Sequence, residues 1–255
     1  MFAVLTADHI IEPIDAFQAG LSRGFELVEA DAKRLVTFSI NPTYPATGFG
    51  YVERGEPISG FEDAFTARRF KEKPDEQTAK EYVASRRFGW NSGMFVFHAG
   101  SFLEALSRFK SETHQAMMRI ADAWGTDTEQ STLEEIYPSL EKISVDFAVM
   151  EPASHDNQFS VCTINMDLTW LDVGSWPSYA ETLTADDRGN RTNARTSHVD
   201  SKNILAVSDH PEHLIATIGC ENLIVVHTGD VTLVCSADHA QRVKELAEAV
   251  DSTLR

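Results

Sequence analysis

Hydrophobic positions follow two alternating patterns over the first two thirds of the chain. Short apolar runs at 34–40 (RLVTFSI), 64–70 (AFTARRF) and 158–164 (QFSVCTI) carry β-branched and aromatic residues, which predicts strands. The stretches between such runs place apolar residues three and four positions apart, which predicts helices, among them one over 15–33 with Asp15 as its N-cap. Strands that alternate with helices favour a mainly parallel sheet covered by helices.

Weaker signals extend the same pattern. The runs 1–6 and 93–98 predict two more strands, and 101–137 has helical periodicity. After the charged stretch FKEKP, a helix is predicted with Asp75 as its N-cap.

The pattern changes in the last quarter of the chain. Short apolar runs separated by turn residues predict a small β-rich region, in which 227–230 (HTGD) reads as a hairpin connection. An amphipathic helix is predicted over 236–250. The polar stretch 184–196 is the predicted boundary, which gives domains of 1–190 and 191–255.

Charge and cysteine content narrow the class of protein. The chain has 255 residues and a net charge of -17, with no cluster of Lys and Arg, so a nucleic-acid partner is not expected. The three cysteines are widely spaced in apolar runs, which predicts free thiols and a cytoplasmic location. No apolar run has the length of a membrane span. The apolar strands of the last quarter would suit a homodimer contact.

Four polar motifs are not explained by core packing. They contain Asp8 (TADH), the adjacent Glu72 and Lys73 (FKEKP), Asn91 (GWNSG) and Asp172 (WLDVGSW). In isolation the first two fit ordinary turns or solvated loops, the third fits a turn as well as a site, and the acid between two tryptophans favours a site. Glu72 and Lys73 are predicted to point in opposite directions on extended backbone, one toward sugar hydroxyls and the other toward a phosphate. Asp8 and Asp172 could converge on one Mg²⁺.

Taken together, the motifs carry a family resemblance. In chain order they are TADH, TGFGYV (47–52), FKEKP, WNSGMFVF, ISVDFAVME (143–151) and WLDVGSW. This set resembles the bacterial mannose-1-phosphate guanylyltransferases, also called GDP-mannose pyrophosphorylases, over nearly the whole chain. The resemblance implies an α/β fold: a Rossmann-like, GT-A-like nucleotidyltransferase domain with a mixed sheet, followed by a small β-rich C-terminal domain.

The resemblance also implies a reaction, in which GTP and mannose 1-phosphate give GDP-mannose and pyrophosphate. It assigns the catalytic roles to Asp8 and Asp172, which would hold Mg²⁺, and to Lys73, which would bind the sugar phosphate. No protein nucleophile is required, so catalysis would consist of positioning and charge stabilisation.

The same resemblance assigns the substrate-binding residues. Gly48 and Gly50 would let the loop backbone approach the sugar. Glu72 and Asn91 would bind mannose hydroxyls, while Asp146 lies in a matching motif without a defined role.

Members of this family have an earlier strand and a glycine-rich loop, with an Arg and a Lys, that wraps the triphosphate. No counterpart of that loop is identified in the sequence, so we expect an N-terminally incomplete member that binds GTP weakly and is inactive by itself. Two alternatives stay open: a non-catalytic sugar-phosphate-binding or regulatory subunit, and a nucleotidyltransferase for another hexose 1-phosphate.

Overall fold

The computed structural model describes residues 1–250, which form two compact units. One unit comprises Met1–Ala7 and Ile11–Trp170, and the other comprises Asp8–Ile10 and the chain from Leu171 onward. The sequence-based division at residue 190 remains a prediction. None of the helices in this described part combines the length and the apolar character needed to cross a membrane.

The first unit is built on a six-stranded sheet with the order β1-β6-β3-β7-β5-β4. Its strands are β1 (Phe2–Val4), β3 (Arg34–Ile40), β4 (Gly50–Ile58), β5 (Phe61–Lys71), β6 (Phe88–Phe97) and β7 (Ser160–Met166). The helices around it are α1 (Ile14–Ala30), α2 (Glu76–Ser85), α3 (Ala99–Phe109), α4 (Ser111–Ala123), α5 (Glu129–Ile136) and α6 (Glu151–Ala153), with a 3₁₀ turn at Tyr137–Ser139 and a π-helical turn at Asp146–Met150. A separate two-stranded sheet pairs β2 (His9–Glu12) with β8 (Thr169–Asp172).

The mixed α/β class is confirmed, but the expectation of a mainly parallel sheet was wrong. Only β3 and β7 run parallel, while the other pairs of the sheet are antiparallel. One reason is local, because β4 and β5 are joined by two residues that include Gly60 at φ 84°, and so short a connection can only join antiparallel strands.

Both faces of the central strands are buried, which explains their nearly continuous apolar sequence. In β3, Phe38 packs into a cluster with Leu27 and Val28 of α1, whereas Leu35 packs into a second cluster with Ala105 of α3. The predicted strand at 34–40 is therefore confirmed with its bounds, because almost every position in it is solvent-inaccessible.

Two predicted helix starts had opposite outcomes. The Asp75 side chain accepts a hydrogen bond from Thr78 N at 2.8 Å and caps α2 as expected. The cap at Asp15 was wrong, because α1 already begins at Ile14 after Pro13, and the Asp15 carboxylate instead accepts from the adjacent Ala16 N. Pro13 is itself the N-cap residue, in extended conformation, and its carbonyl accepts from Phe17 N at 3.3 Å.

The second unit contains a short parallel β-solenoid. Its strands are β9 (Arg191–Thr192), β10 (Arg195–Val199), β11 (Lys202–Ser208), β12 (Leu214–Ile218), β13 (Glu221–His227) and β14 (Thr232–Ser236). Strands β9, β11 and β13 stack in parallel, as do β10 and β12, and β14 returns antiparallel to β13 with His227 opposite Thr232, which confirms the predicted hairpin.

Helices precede and follow the solenoid strands in the chain. They are α7 (Trp176–Glu181), a 3₁₀ helix at Ala237–Arg242 and α8 (Val243–Ala249). The single helix predicted over 236–250 is thus two pieces, and only part of its apolar face is covered: Ala240 is buried and Leu246 is half-exposed. All three cysteines are free thiols, as predicted.

Candidate functional site

Gly50, Glu72 and Asn91 converge from three strands of the first unit. Gly50 opens β4 and lies opposite Asn91 in β6, while Glu72 directly follows β5. A Cβ atom on Gly50 would lie 2.3 Å from Glu72 Oε2 and 3.4 Å from Asn91 Nδ2. Only glycine therefore leaves the Glu72 carboxylate in its place. Gly48 is exposed, and a Cβ on it would meet no atom within 4 Å, so it lies in open space.

The Asn91 amide is buried and fixed on both sides. Its Oδ1 accepts from Thr37 Oγ1 at 2.7 Å, and its Nδ2 donates to Asp146 Oδ1 at 2.8 Å. The sequence pattern predicted Asn91 at the mouth of a strand, whereas it lies inside β6, which begins at Phe88. The reason is that Phe88 and Trp90 are themselves buried and extend the strand toward its N-terminus.

Glu72 and Lys73 are hydrogen-bonded to each other, so the expectation that they point in opposite directions was wrong. Lys73 adopts a left-handed backbone conformation with φ 45°, and its Nζ donates to Glu72 Oε1 at 2.9 Å. The other oxygen, Glu72 Oε2, is buried and has no hydrogen-bond partner within residues 1–250. A buried acceptor without a partner at the centre of a polar cluster is a candidate ligand contact.

The protonation equilibrium of Glu72 reflects this position. Burial raises the pKa of its carboxyl, and the hydrogen bond from Lys73 opposes that effect. The neighbouring carboxylates of Asp146 and Glu151 raise the pKa further. A raised pKa at a cluster of converging polar groups is typical of functional sites.

Two further residues of this cluster were missed. Glu151 accepts from Lys71 Nζ at 2.9 Å and from the backbone N of Glu72 at 3.3 Å, and the Phe147 ring lies 5.9 Å from Lys73 Nζ. Both residues stand in the ISVDFAVME motif beside Asp146. The sequence pattern does not indicate their position, because this segment forms a π-helical turn, in which Glu151 N donates to Asp146 O five residues earlier.

Asp8 and Asp172 belong to the second unit and flank His9. His9 Nε2 lies 3.7 Å from Asp172 Oδ1, and Asp172 Oδ1 also accepts from Gly174 N at 3.1 Å. Burial lowers the pKa of His9, although the charges of Asp172 and Asp8 act to raise it. Both carboxylates are thus within electrostatic range of one imidazole.

This donor set suits a hard divalent cation that takes few protein ligands. Asp8 is exposed and the side chain of Asp172 is 32% exposed, so both keep access to water. Mg²⁺ usually takes one or two carboxylates and completes its shell with water and phosphate oxygens. Across residues 1–250, no group of three or more His, Cys, Asp or Glu side chains is arranged to hold a metal.

Both parts of the chain match known protein families. Residues 1–189 match the Nucleotidyl transferase family. The chain belongs to this family. Residues 195–250 match the MannoseP isomerase/GMP-like beta-helix domain, in agreement with the parallel solenoid.

Curated relatives match this nucleotidyl transferase chain over nearly its whole length. It is 36% identical over 256 residues to the xanthan biosynthesis protein XanB of Xanthomonas campestris pv. campestris (strain B100), a match that covers 100% of this chain and 52% of that protein. It is also 36% identical over 253 residues to the mannose-1-phosphate guanylyltransferase of Escherichia coli (strain K12), covering 98% of this chain and 51% of the relative. The chain therefore spans about half the length of the curated relatives it matches.

A solved structure resembles nearly the whole chain. It is described as a mannose-1-phosphate geranyltransferase from Thermus thermophilus, with a TM-score of 0.80 and 28% sequence identity. The match covers 97% of this chain and 68% of that one.

Proposed function

We propose that this nucleotidyl transferase chain binds mannose 1-phosphate as a substrate of guanylyl transfer, in which GTP and mannose 1-phosphate give GDP-mannose and pyrophosphate. The convergence of Glu72, Lys73 and Asn91 around Gly50 is the observation that carries the proposal. It brings a hydroxyl acceptor, a cation and an amide donor to one place in the first unit. The names of the relatives support the same substrate.

Each polar group would have a defined partner on the sugar. Glu72 Oε2, which is buried without a partner in the described chain, would accept a hydroxyl hydrogen. Asn91 Nδ2 uses one hydrogen on Asp146, which leaves its second hydrogen for the sugar. Asp146 would act through Asn91, by fixing the orientation of the amide. Gly48, in open space, would allow close approach of the loop backbone.

Lys73 would bind the phosphate as a compact point charge. In the proposed reaction, a phosphate oxygen of mannose 1-phosphate forms a bond to the α-phosphorus of GTP. The bond from that phosphorus to the bridging oxygen breaks, and pyrophosphate leaves with the electron pair. Because the substrate supplies the nucleophile, the protein contributes position and charge.

Asp8 and Asp172 would hold a divalent cation, which we propose to be Mg²⁺. When bound, such an ion supplies positive charge to the phosphate oxygens. The two carboxylates fit it by their chemistry and their access to water.

Titration calorimetry with mannose 1-phosphate tests the substrate assignment. Asn91→Ala removes the fixed amide and should weaken binding by about tenfold or more. The matched control is Gln77→Ala, because Gln77 is an exposed amide on α2 whose side chain donates to Glu81. Equal affinity of wild type and Asn91→Ala, with unchanged circular dichroism, would contradict the proposal.

Two alternatives are separated by further ligands. Glucose 1-phosphate that binds as tightly as mannose 1-phosphate would favour a transferase for another hexose. Binding of mannose 1-phosphate without any GTP binding or pyrophosphate release would favour the non-catalytic sugar-phosphate-binding subunit.

We also propose self-association through the solenoid and a cytoplasmic location. Val199 and Ile218 lie opposite each other on β10 and β12 and are more than half-exposed, as is Leu214 at the start of β12. Adjacent exposed apolar side chains often mark an interface. The free cysteines support a reducing compartment. Sedimentation equilibrium of wild type and Ile218→Lys tests the dimer, which a concentration-independent monomer mass would exclude.

A further inference from the structure

A cavity of about 470 Å³ lies within the second unit, on the face of the solenoid covered by α7. Its volume falls in the range of small-molecule sites. Apolar side chains such as Leu205 and Ile224 form part of its wall, and Pro177 and Ala180 of α7 form another part. One cationic side chain, Arg191, also lines it.

Arg191 occupies a position at which an apolar residue would be expected. It lies opposite Leu205 in the parallel pair of β9 and β11, and Leu205 in turn lies opposite Ile224 of β13. Leu205 and Ile224 are 5% and 2% exposed and pack against residues of α7, so Arg191 belongs to the row of side chains that faces α7. The strand pattern therefore places the aliphatic part of Arg191 beside the apolar face under α7.

The guanidinium of Arg191 is incompletely satisfied. Its Nε is buried and has no hydrogen-bond partner, and its side chain forms no ion pair within residues 1–250. Burial of this Nε–H without an acceptor carries a desolvation cost, which an acceptor oxygen of a bound anion would offset. A planar guanidinium favours bidentate contact with carboxylate or phosphate oxygens.

Two amide side chains line the same cavity as Arg191. Asn203 and Asn222 occupy equivalent corners of successive solenoid turns, with φ 52° and 56°, and Gly189 holds the same corner in the preceding turn with φ 77°. A Cβ on Gly189 would lie 2.4 Å from Asn203 Oδ1, so the glycine makes room for that amide. Neither amide forms a side-chain hydrogen bond with another residue in the described chain, which leaves donors available to a ligand.

We infer that this cavity binds a small oxoanion, a phosphate ester or a carboxylate, through the guanidinium of Arg191 with the amides of Asn203 and Asn222 as further donors. Glu181 is the acidic side chain of the wall, and it is exposed and not ion-paired with Arg191. Its charge opposes anion binding and sets an upper limit on the affinity. The site is independent of the proposed sugar-phosphate cluster, because all of its residues lie in the second unit.

Heteronuclear NMR of the Arg191 Nε–H group tests the site directly. The resonance is assigned by its absence in Arg191→Lys, and inorganic phosphate and acetate are titrated in separate arms. We expect a saturable shift of this resonance, larger for phosphate if the natural ligand is a phosphate ester and larger for acetate if it is a carboxylate. The same shift should persist in Lys73→Met, which separates this site from the proposed substrate site.

Two variants complete the test. Glu181→Gln should tighten phosphate or acetate binding at the Arg191 resonance by several fold, since it removes a like charge from the wall. Arg191→Leu should fold, because leucine suits the apolar face, and calorimetry in the Lys73→Met background should show binding about ten- to hundredfold weaker. An Nε–H resonance that does not move in either arm, or a Glu181→Gln variant without effect on affinity, would overturn the inference.

Discussion

Two sets of acidic residues in this protein differ in how far they are exposed to water. Glu72 and Glu151 in the first unit are buried or mostly buried and receive hydrogen bonds from the protein itself, from Lys73 and from Lys71. Asp8 and Asp172 in the second unit keep access to water, and the backbone N–H of Gly174 contacts Asp172 at hydrogen-bond distance. The first set is held in a fixed geometry before any ligand arrives, at the cost of desolvation. The second set stays solvated and therefore available to a cation.

The largest effect should come from filling the space at Gly50. Gly50→Ala places a Cβ 2.3 Å from Glu72 Oε2, which is the far end of a flexible side chain and can move without unfolding the sheet. We expect about a hundredfold loss of mannose 1-phosphate affinity by calorimetry, since a charged acceptor is displaced and the site is narrowed. The melting temperature should change little. Gly229→Ala is the control, because a Cβ there meets no atom within 4 Å; equal affinity of the two variants would mean that Glu72 does not contact the sugar.

Removal of the Lys73 ammonium group beside Glu72 should have the next largest effect. Lys73→Met should weaken binding of mannose 1-phosphate by about ten- to hundredfold and leave the much weaker binding of mannose unchanged, because the charge acts on the phosphate. Lys80→Met is a matched control, since Lys80 lies on the exposed side of α2 and pairs with Glu76. A parallel loss for mannose and its phosphate would show that Lys73 acts on the fold and not on the phosphate.

Loss of one carboxylate from the pair Asp8 and Asp172 should weaken cation binding by about tenfold. Asp172→Asn preserves the shape of the side chain, so the effect can be measured by electron paramagnetic resonance with Mn²⁺ as the probe. Asp167→Asn provides the control at another exposed aspartate, a short way before Asp172 in the chain. Mn²⁺ binding that is the same in all three proteins would remove Asp172 from the proposed metal pair.

The smallest effect concerns stability and pH. The pKa of Glu72 is raised in the folded state, mainly by burial, so the folded protein binds this proton more tightly than the unfolded chain. Wild-type stability should therefore fall as the pH rises from the ordinary glutamate pKa through the raised one. Glu72→Gln should not show this decline, and urea unfolding should find it slightly more stable than wild type above that window and equal below it.

Glu76 offers the reverse case for comparison. Its pKa is lowered by the hydrogen bond from Lys80, so its contribution is present above the ordinary glutamate pKa and is lost as the pH falls through the lowered one. Glu76→Gln should thus be slightly less stable than wild type at neutral pH. If both glutamine variants shifted stability in the same direction, burial would not be the dominant influence on Glu72.

Local sequence patterns determined the elements whose causes lie within a few residues. The strand at 34–40, the cap at Asp75 and the hairpin at 227–230 were predicted correctly, because β-branched burial, side-chain capping and turn chemistry act over short distances. The motifs also identified the family and named residues that the fold brings together, among them Gly50, Glu72 and Asn91.

Tertiary structure alone decided how those residues meet. The left-handed backbone of Lys73 turns its ammonium onto Glu72, and the π-helical turn brings Asp146 and Glu151 to the same carboxylate, where a regular helix would separate them. In the sequence, Arg191 is one of several polar residues in a polar stretch. The register of the solenoid strands shows that it lies opposite the buried Leu205. These outcomes depend on contacts between residues far apart in the chain, and a sequence pattern records only which side chains are present, not which of them the packing of strands and helices brings within a few ångströms.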